Sequence, residues 1–376
     1  MDAFLRGILR DIERRAEVLR DRIAAIPADP DLGDYSLSSY RLAEAVRRTA
    51  SSLLDDSSLG VPSLLVNHLR TAQDLERRSK LIESYFVPFL ERYGDTDRRV
   101  TRLCRRLAEQ VRWPLSPPLV LTFSSQYYWT VGAFNLISAP AAEGSSLLRL
   151  PDLCHEMAHI LYEHNRTQLT SDFVQELANY VEQERKRATR GQRPREYLRL
   201  YDPLFAQWRD AWLVEFVADM IATYLVGTAF GWQHVRLCSG EGQAVYRPAL
   251  GEASTHPADE ARLRGVLAVL SRMGSSGGPK IKALWDSYLM VHGEVRPADY
   301  DICYPQLLLE SLADYVIVGC QALGLRAFHE TNIPGNPHPD IPCLIMEGWD
   351  RFLENADAYA AWEKTCLGEV WASLGL

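Results

Sequence analysis

A histidine, a glutamate and a second histidine form the five-residue pattern H-E-x-x-H near the middle of this 376-residue chain. His155 and His159 are four residues apart, so on a helix they share one face and both imidazoles can point at one metal ion. Glu156 lies about 100° round the helix from His155, where it misses the ion but reaches a water molecule beside it. Two neutral ligands and one base are what metal-assisted hydrolysis needs, and Zn²⁺ is the metal that suits them. The pattern predicts a zinc site with Glu156 as the general base.

The residues around this pattern favour a buried helix that begins near Leu150. Pro151 suits the first helical turn, where its missing N–H costs nothing. Most of the neighbouring residues are apolar, namely Leu150, Leu153, Met157, Ala158, Ile160 and Leu161. Two histidines and a glutamate are costly to bury in such a helix without partners. A metal ion supplies a partner, so we prefer the metal site to the alternative of satisfied core residues.

A second apolar helix is predicted at Trp208–Gly227, and it carries two acids. Glu215 and Asp219 are four residues apart and share one face of this helix. Carboxylates are almost never fully buried without partners, and a zinc ion with a ligand histidine would provide them. We therefore expect Glu215 to be the third zinc ligand. Asp219, one turn further on, is expected to accept the free ring N–H of a ligand histidine.

Taken together, these segments resemble the gluzincins, metallopeptidases with H-E-x-x-H and a later glutamate. Glu215-Phe-Val-Ala-Asp219 is similar to the E-x-x-A-D motif of the branch that holds the CAAX prenyl proteases and the HtpX heat-shock proteases. Ser254-Thr-His-Pro-Ala-Asp-Glu-Ala-Arg-Leu263 is similar to that branch's S-T-H-P-x-x-x-x-R-[IL] signature. The resemblance covers about residues 119–270. It implies a zincin-like core, and it implies that His256 and Arg262 line the active site and help to stabilise the tetrahedral intermediate.

Either of these two side chains is chemically able to donate a hydrogen bond to a developing oxyanion. A purely structural alternative is that His256-Pro257 leads into a helix starting near Ala258, and both roles are compatible. The best-known members of the branch are integral membrane proteins, whereas no stretch of about 20 apolar residues is present here. Their prenylated or misfolded membrane substrates are therefore not carried over.

The remaining pattern predicts a mainly α fold with a small β-sheet (α+β). We divide the chain into a helical N-terminal region at 1–113, a catalytic core at 114–273 and a helical C-terminal region at 279–376 packed on the core. Leu119–Phe123 is predicted to be a strand, and 127–138 to be one or two strands with a bend at Gly132. The exposed edge of such a sheet is able to pair with an extended peptide and hold it across the metal.

The sequence also predicts two further helices and a loop after the H-E-x-x-H segment. Thr170–Lys186 is expected to be a polar helix, 332–342 a surface loop with four prolines, and 349–374 a helix.

Composition narrows the function classes. The net charge of −8 argues against nucleic acid as the main partner. Residues 1–115 hold 20 Lys+Arg and 18 Asp+Glu, whereas the rest holds 21 and 31, so the acidity belongs to the part with the predicted site. Seven scattered cysteines, an N-terminus without a signal-peptide pattern and the lack of a predicted membrane span favour a cytoplasmic protein.

We therefore expect a zinc-dependent metallopeptidase, an endopeptidase acting on protein or peptide substrates. Two alternatives remain open. One is a zinc amidohydrolase acting on a small non-peptide amide, which would have a deep closed pocket without an accessible sheet edge. The other is a non-enzymatic helical interaction module, in which a fourth protein ligand closes a structural zinc site.

Overall fold

Helices make up most of the chain, and a three-stranded sheet precedes the H-E-x-x-H segment. The computed structural model describes residues 2–124, 127–141, 146–241, 245–328 and 340–376. The expected fold class, mainly α with a small β-sheet, is confirmed. None of the helices in these ranges has both the length and the apolar character needed to cross a membrane.

The chain folds into two compact units, Met1–Arg98 and Arg99–Leu376. In the first unit, the apolar stripe of the first helix, with Leu5, Leu9 and Ile12, is fully buried. The helices of this unit are Asp2–Ala24 (α1), Gly33–Asp55 (α2), Leu65–Leu81 (α3) and Val87–Arg92 (α4), with a π-helical turn at Ile82–Phe86. Helix α5, Asp95–Gln110, contains the boundary between the units.

The sheet of the second unit consists of Leu119–Ser124 (β1), Trp129–Val131 (β2) and Leu136–Pro140 (β3). Its strand order is β1-β3-β2, with β1 parallel and β2 antiparallel to the central β3. A short 3₁₀ turn at Gly132–Phe134 joins β2 to β3, so Gly132 lies at the expected bend. Strand β2 is therefore at an edge of the described sheet, as β-augmentation requires.

The helices that follow the sheet are Leu150–Thr189 (α6), Tyr201–Gln207 (α7), Leu213–Val226 (α8), Thr228–Glu241 (α9), Asp259–Arg272 (α10), Gly278–His292 (α11), Tyr300–Cys303 (α12), Gln306–Ala322 (α13), Ile341–Glu354 (α14) and Ala356–Ser373 (α15). A π-helical turn at Trp208–Trp212 leads into α8. Helix α13 packs against α6, α8 and α10.

Helix α6 is the central element of the second unit. Pro151 stands in its first turn as expected, and most of its first thirteen residues are buried. The helix changes direction at Asn165, whose backbone is not helical (φ −126°, ψ 22°) and whose side-chain amide donates to the Leu161 carbonyl at 3.0 Å. The expected polar helix at Thr170–Lys186 is confirmed, because that segment is helical and lies in the part of α6 that follows this kink.

Helices α6 and α8 pack along each other, and α10 also packs against α8. A small residue allows the second contact: a Cβ built on Gly265 of α10 would lie 2.9 Å from the terminal methyl carbon of Met220 in α8. This close approach brings Arg262, one turn before Gly265, to Asp219, the residue before Met220. The H-E-x-x-H segment of α6, the two acids of α8 and Arg262 of α10 thus lie close together.

Two expectations near the C-terminus are corrected. Residues 332–339 of the expected loop lie outside the described ranges, but Ile341 and Pro342 are buried in the first turn of α14. That turn is capped by Asp340, whose carboxylate accepts from the Cys343 N–H at 3.4 Å. The expected helix at 349–374 is interrupted at Asn355, which ends α14 and whose side chain caps α15.

Candidate metal centre

Three potential ligand side chains converge between α6 and α8. Nε2 of His155 and Nε2 of His159 are 3.0 Å apart. The two carboxylate oxygens of Glu215 lie 3.5 Å from Nε2 of His155 and 3.6 Å from Nε2 of His159. All three side chains are largely withdrawn from solvent, with exposures of 11%, 19% and 11%.

This ligand triangle of His155, His159 and Glu215 fits a tetrahedral zinc ion. Zinc–nitrogen and zinc–oxygen bonds of about 2.0–2.2 Å at tetrahedral angles put neighbouring ligand atoms about 3.3 Å apart. The observed separations of 3.0, 3.5 and 3.6 Å are close to that value, with the last two measured to different oxygens of Glu215. The structure therefore brings together the three expected ligands, two from one turn of α6 and one from α8. The donor set of two imidazoles and one carboxylate is also the kind that zinc accepts.

Asp219 lies behind the first histidine, on the opposite side of its ring from Glu215. Nδ1 of His155 is 2.9 Å from Oδ1 of Asp219, although the ring N–H is not aligned for a linear hydrogen bond. Asp219 is fully buried. Its two oxygens accept from Nε and Nη2 of Arg262, each at 2.7 Å. Asp219 is thus held between the imidazole and a guanidinium.

The side chains of the ligand triangle shift one another's pKa values when no metal is bound. Burial lowers the pKa of His155, but Asp219 and Glu215 outweigh it and raise that pKa to about 10. Burial and the neighbouring His155 lower the pKa of His159 to about 4. Burial raises the pKa of Glu215, yet contact with His155 brings it down to about 2. A proton on His155 thus neutralises charge between two carboxylates, and a divalent cation would replace that proton.

Glu156 contacts the sheet beside the ligand triangle. The hydroxyl of Thr130, in edge strand β2, donates to its Oε2 in a short hydrogen bond. Burial raises the pKa of Glu156, and His155 and Thr130 offset part of that rise. A carboxylate with a raised pKa is a stronger proton acceptor, as a general base should be. Its carboxylate and the two histidine rings offer ligand atoms that all lie within 4.8 Å of one another.

His256 lies on a loop that other elements hold in place. The carbonyl of Ser254 accepts from Trp212 Nε1 at 3.2 Å, and the N–H of Ala258 donates to the Tyr304 hydroxyl at 3.2 Å. The His256 side chain is 62% exposed, and its Nε2 is 3.8 Å from Oε1 of Glu215. Thr255 Oγ1 is 3.0 Å from Nδ1. If that hydroxyl donates, the proton of the neutral ring is on Nε2, the nitrogen nearer to Glu215.

Arg262 is less exposed than His256. Its Nη2 is 3.8 Å from Oε2 of Glu215, and its side chain is 13% exposed. Because Nε and Nη2 both bind Asp219, the contacts of Arg262 are those of a positioning residue. The oxyanion role that the resemblance implies for Arg262 stays a prediction.

Two cavities meet at this centre, and Tyr128, Glu156 and His256 line both of them. The first has a volume of about 580 Å³ and runs along Trp129 and Thr130 of strand β2. The second has a volume of about 400 Å³ and lies on the side of His155 and Arg262. The two cavities therefore form an open cleft past the candidate centre, and the edge strand β2 lines the first of them.

Comparison of the chain with protein-family models, with curated proteins and with solved structures finds no match.

Two residues that line the cleft, Thr130 and Glu163, were not predicted from the sequence to belong to the site. Thr130 is 26 residues from Glu156, and nothing in the local sequence connects the two. Glu163 also lines the first cavity. A signal for it was present, because it follows His159 by four residues and so continues the face that carries both histidines.

Proposed function

We propose that this protein is a zinc-dependent hydrolase of peptide bonds, with His155, His159 and Glu215 as the ligands. The observation that carries the proposal is the ligand triangle, with Glu156 beside it and Asp219 behind it. A bound zinc ion would act as a Lewis acid and activate water. The similarity to gluzincins in the E-x-x-A-D and S-T-H-P segments agrees with this function.

Each residue around the ligand triangle has a separate task. Glu156 accepts the proton of the attacking water through Oε1, while Thr130 holds Oε2. It then passes the proton to the leaving amine. His256 donates from Nε2 to the oxyanion. Asp219 fixes the orientation of His155, and Arg262 fixes Asp219.

The sheet edge favours a peptide over a small amide. Strand β2 pairs with β3 on one side, and its residues Trp129 and Thr130 line the first cavity. An extended chain is able to hydrogen-bond to such an edge, with the scissile bond carried past Glu156. A small amide would need no edge of this kind.

The test compares wild type with Glu156→Gln on a proteome-derived peptide library, with new termini identified by mass spectrometry. Glutamine keeps the shape of the side chain but cannot accept the proton at neutral pH. We expect about one zinc per chain in both proteins, as a single three-ligand site requires, and new termini only with wild type. Equal cleavage by the two would remove Glu156 from the mechanism. Bound zinc without cleavage by either would point to a structural metal site.

The structural-zinc alternative has one observation in its favour, since Nε2 of His256 lies only 3.8 Å from Glu215. A coordinating His256 would close the fourth position. His256→Ala separates the two cases: a closed site loses zinc affinity, whereas a catalytic site keeps its zinc.

A further inference from the structure

The carboxylate of Glu163 occupies space that a side chain at Gly132 would need. A Cβ built on Gly132 would lie 1.7 Å from Oε2 of Glu163, closer than any real contact. Gly132 follows strand β2 directly, and both residues line the 580 Å³ cavity. The glycine therefore lets an acid of α6 lie against the end of the edge strand, within the cleft.

The negative charge of Glu163 is unmatched within the described part of the chain, where no ion pair or hydrogen bond joins it to another residue. Arg166 is one turn further along α6 but is engaged elsewhere. Its Nη2 donates to the Arg209 carbonyl at 2.9 Å, and its guanidinium carbon lies 5.8 Å from the centre of the Tyr162 ring. Arg209 is paired with Asp210. Neither of the two arginines that line this cavity forms an ion pair with Glu163, so its carboxylate is able to bind a cation from outside the protein.

We propose that Glu163 binds a positively charged group of the substrate at the end of strand β2, next to Gly132. This inference rests on the proposed peptidase function and adds a preference to it. A peptide lying along β2 towards Glu156 passes Gly132, so one of its groups comes to the carboxylate. Two sources of the cation are compatible with the site, a Lys or Arg side chain within the peptide and the free N-terminal ammonium. The second would make the enzyme an aminopeptidase.

The experiment measures binding to zinc-loaded Glu156→Gln protein, in which cleavage does not interfere. The probes are fluorescent octapeptides amidated at the C-terminus. One set is acetylated at the N-terminus and carries a single Lys at each position in turn, with Gln elsewhere. A second peptide contains only Gln and has a free N-terminus, and a third is its acetylated form. Anisotropy titrations give the dissociation constants.

Glu163 is exposed, so we expect one cationic probe to bind about two- to fivefold more tightly than the acetylated neutral peptide, the scale of one exposed ion pair. Adding Glu163→Gln should remove this difference. A matched Glu182→Gln change, on the same helix but in neither cavity, should keep it. Preference for an internal Lys supports the inference with a side-chain site, and preference for the free N-terminus supports it with an ammonium site.

Gly132→Ala provides a second variant. Its Cβ should push the carboxylate aside without removing it, because the obstructing atom is at the end of a flexible side chain. The cationic preference should fall as with Glu163→Gln, while zinc content is retained. Equal affinities for all probes, with and without Glu163, would overturn the inference and leave the peptidase proposal intact. Failure of every probe to bind a zinc-loaded protein would overturn both.

Discussion

At the residue scale, each key side chain of the candidate metal centre is positioned by contact with a second side chain. Glu156 is held by Thr130, His155 by Asp219, and Asp219 by Arg262. The last pair matters most for stability, because Asp219 is fully buried and the Arg262 side chain is only 13% exposed. Removing one member leaves the other charge buried with its main partner lost.

Metal binding gives the first prediction at this scale. Purified protein should contain about one zinc per chain, and His159→Ala should lose it, since two ligands remain of three. Metal analysis by mass spectrometry measures the content. His164→Ala is the control, because that imidazole lies outside the ligand triangle and its Nδ1 is 2.9 Å from the Ile160 carbonyl oxygen. Protein that folds without chelator yet contains no zinc would end the assignment.

The second prediction separates Asp219 from His256. Asp219→Asn should lower zinc affinity by about 10–100-fold, because the partner behind His155 is weakened. It should also lower the free energy of unfolding by roughly 3–5 kcal/mol, because Arg262 loses its buried counter-charge. His256→Ala should leave zinc content and stability unchanged and lower kcat on the order of 10²–10³-fold with little change in KM. Isothermal titration with zinc, thermal unfolding and steady-state kinetics measure the three effects.

The opposite pattern would contradict these roles. A His256→Ala protein that loses zinc would make His256 a ligand. An Asp219→Asn protein with normal zinc affinity and normal stability would show that neither His155 nor Arg262 depends on the carboxylate.

At the element scale, the site is built where three helices and a sheet edge approach closely. Helix α8, which carries Glu215 and Asp219, ends at Val226, and Gly227 follows it directly. Its φ of +62° and ψ of −138° suit glycine alone, and a Cβ there would lie 2.4 Å from Cδ1 of Phe328. The chain then continues into α9, whose residues Phe230 and His234 line the second cavity.

Gly227→Ala should therefore destabilise the second unit by about 1–3 kcal/mol from backbone strain, with the contact against Phe328 adding to it. Gly368→Ala is the matched control. Gly368 is exposed within α15, and a Cβ there meets nothing within 4 Å, so alanine should stabilise by about 0.5–1 kcal/mol. Thermal or denaturant unfolding of both variants decides the matter. Equal stabilities for the two would contradict the prediction.

Local pattern was sufficient for most elements and for the spacing of candidate residues within one helix, because helical spacing relates residues within one or two turns. Glu215 was expected as a ligand only from the cost of burying a carboxylate without a partner. His155, Glu156 and His159 follow from such spacing, and so does the placing of Asp219 one turn after Glu215. Other contacts between distant segments were not predicted. Thr130 meets Glu156 because β2 is at the edge of the sheet, and Arg262 meets Asp219 because Gly265 lets α10 approach α8. The kink of α6 at Asn165 was not predicted, because no proline or glycine stands near it in the sequence.

At the scale of the whole molecule, every residue assigned to the candidate site belongs to the second compact unit. Helix α5 contains the boundary, and the carboxylate of Asp97 in its first turn accepts from the Gly94 N–H at 3.0 Å. A chain shortened at Arg99 would lose that turn, whereas one shortened to 94–376 keeps the helix and this hydrogen bond.

We expect the 94–376 protein to bind about one zinc per chain with the affinity of the full chain, because all three predicted ligands lie within it. Isothermal titration of both proteins, with circular dichroism to verify folding, makes the comparison. A folded 94–376 protein with much weaker zinc binding would show that the first unit contributes to the centre.

The hydrogen bond from Trp212 to the carbonyl of Ser254 has an optical consequence. The indole stands at the end of the π-helical turn before α8 and is bonded to the loop that carries His256. Indole emission responds to the polarity and hydrogen bonding of its surroundings. Displacement of that loop by an incoming molecule should therefore change the emission of Trp212. Trp212→Phe should show a smaller change in protein fluorescence than wild type, because Trp129, which lines the first cavity, still responds. The chain thus contains its own spectroscopic probe, attached to the loop whose movement it would report.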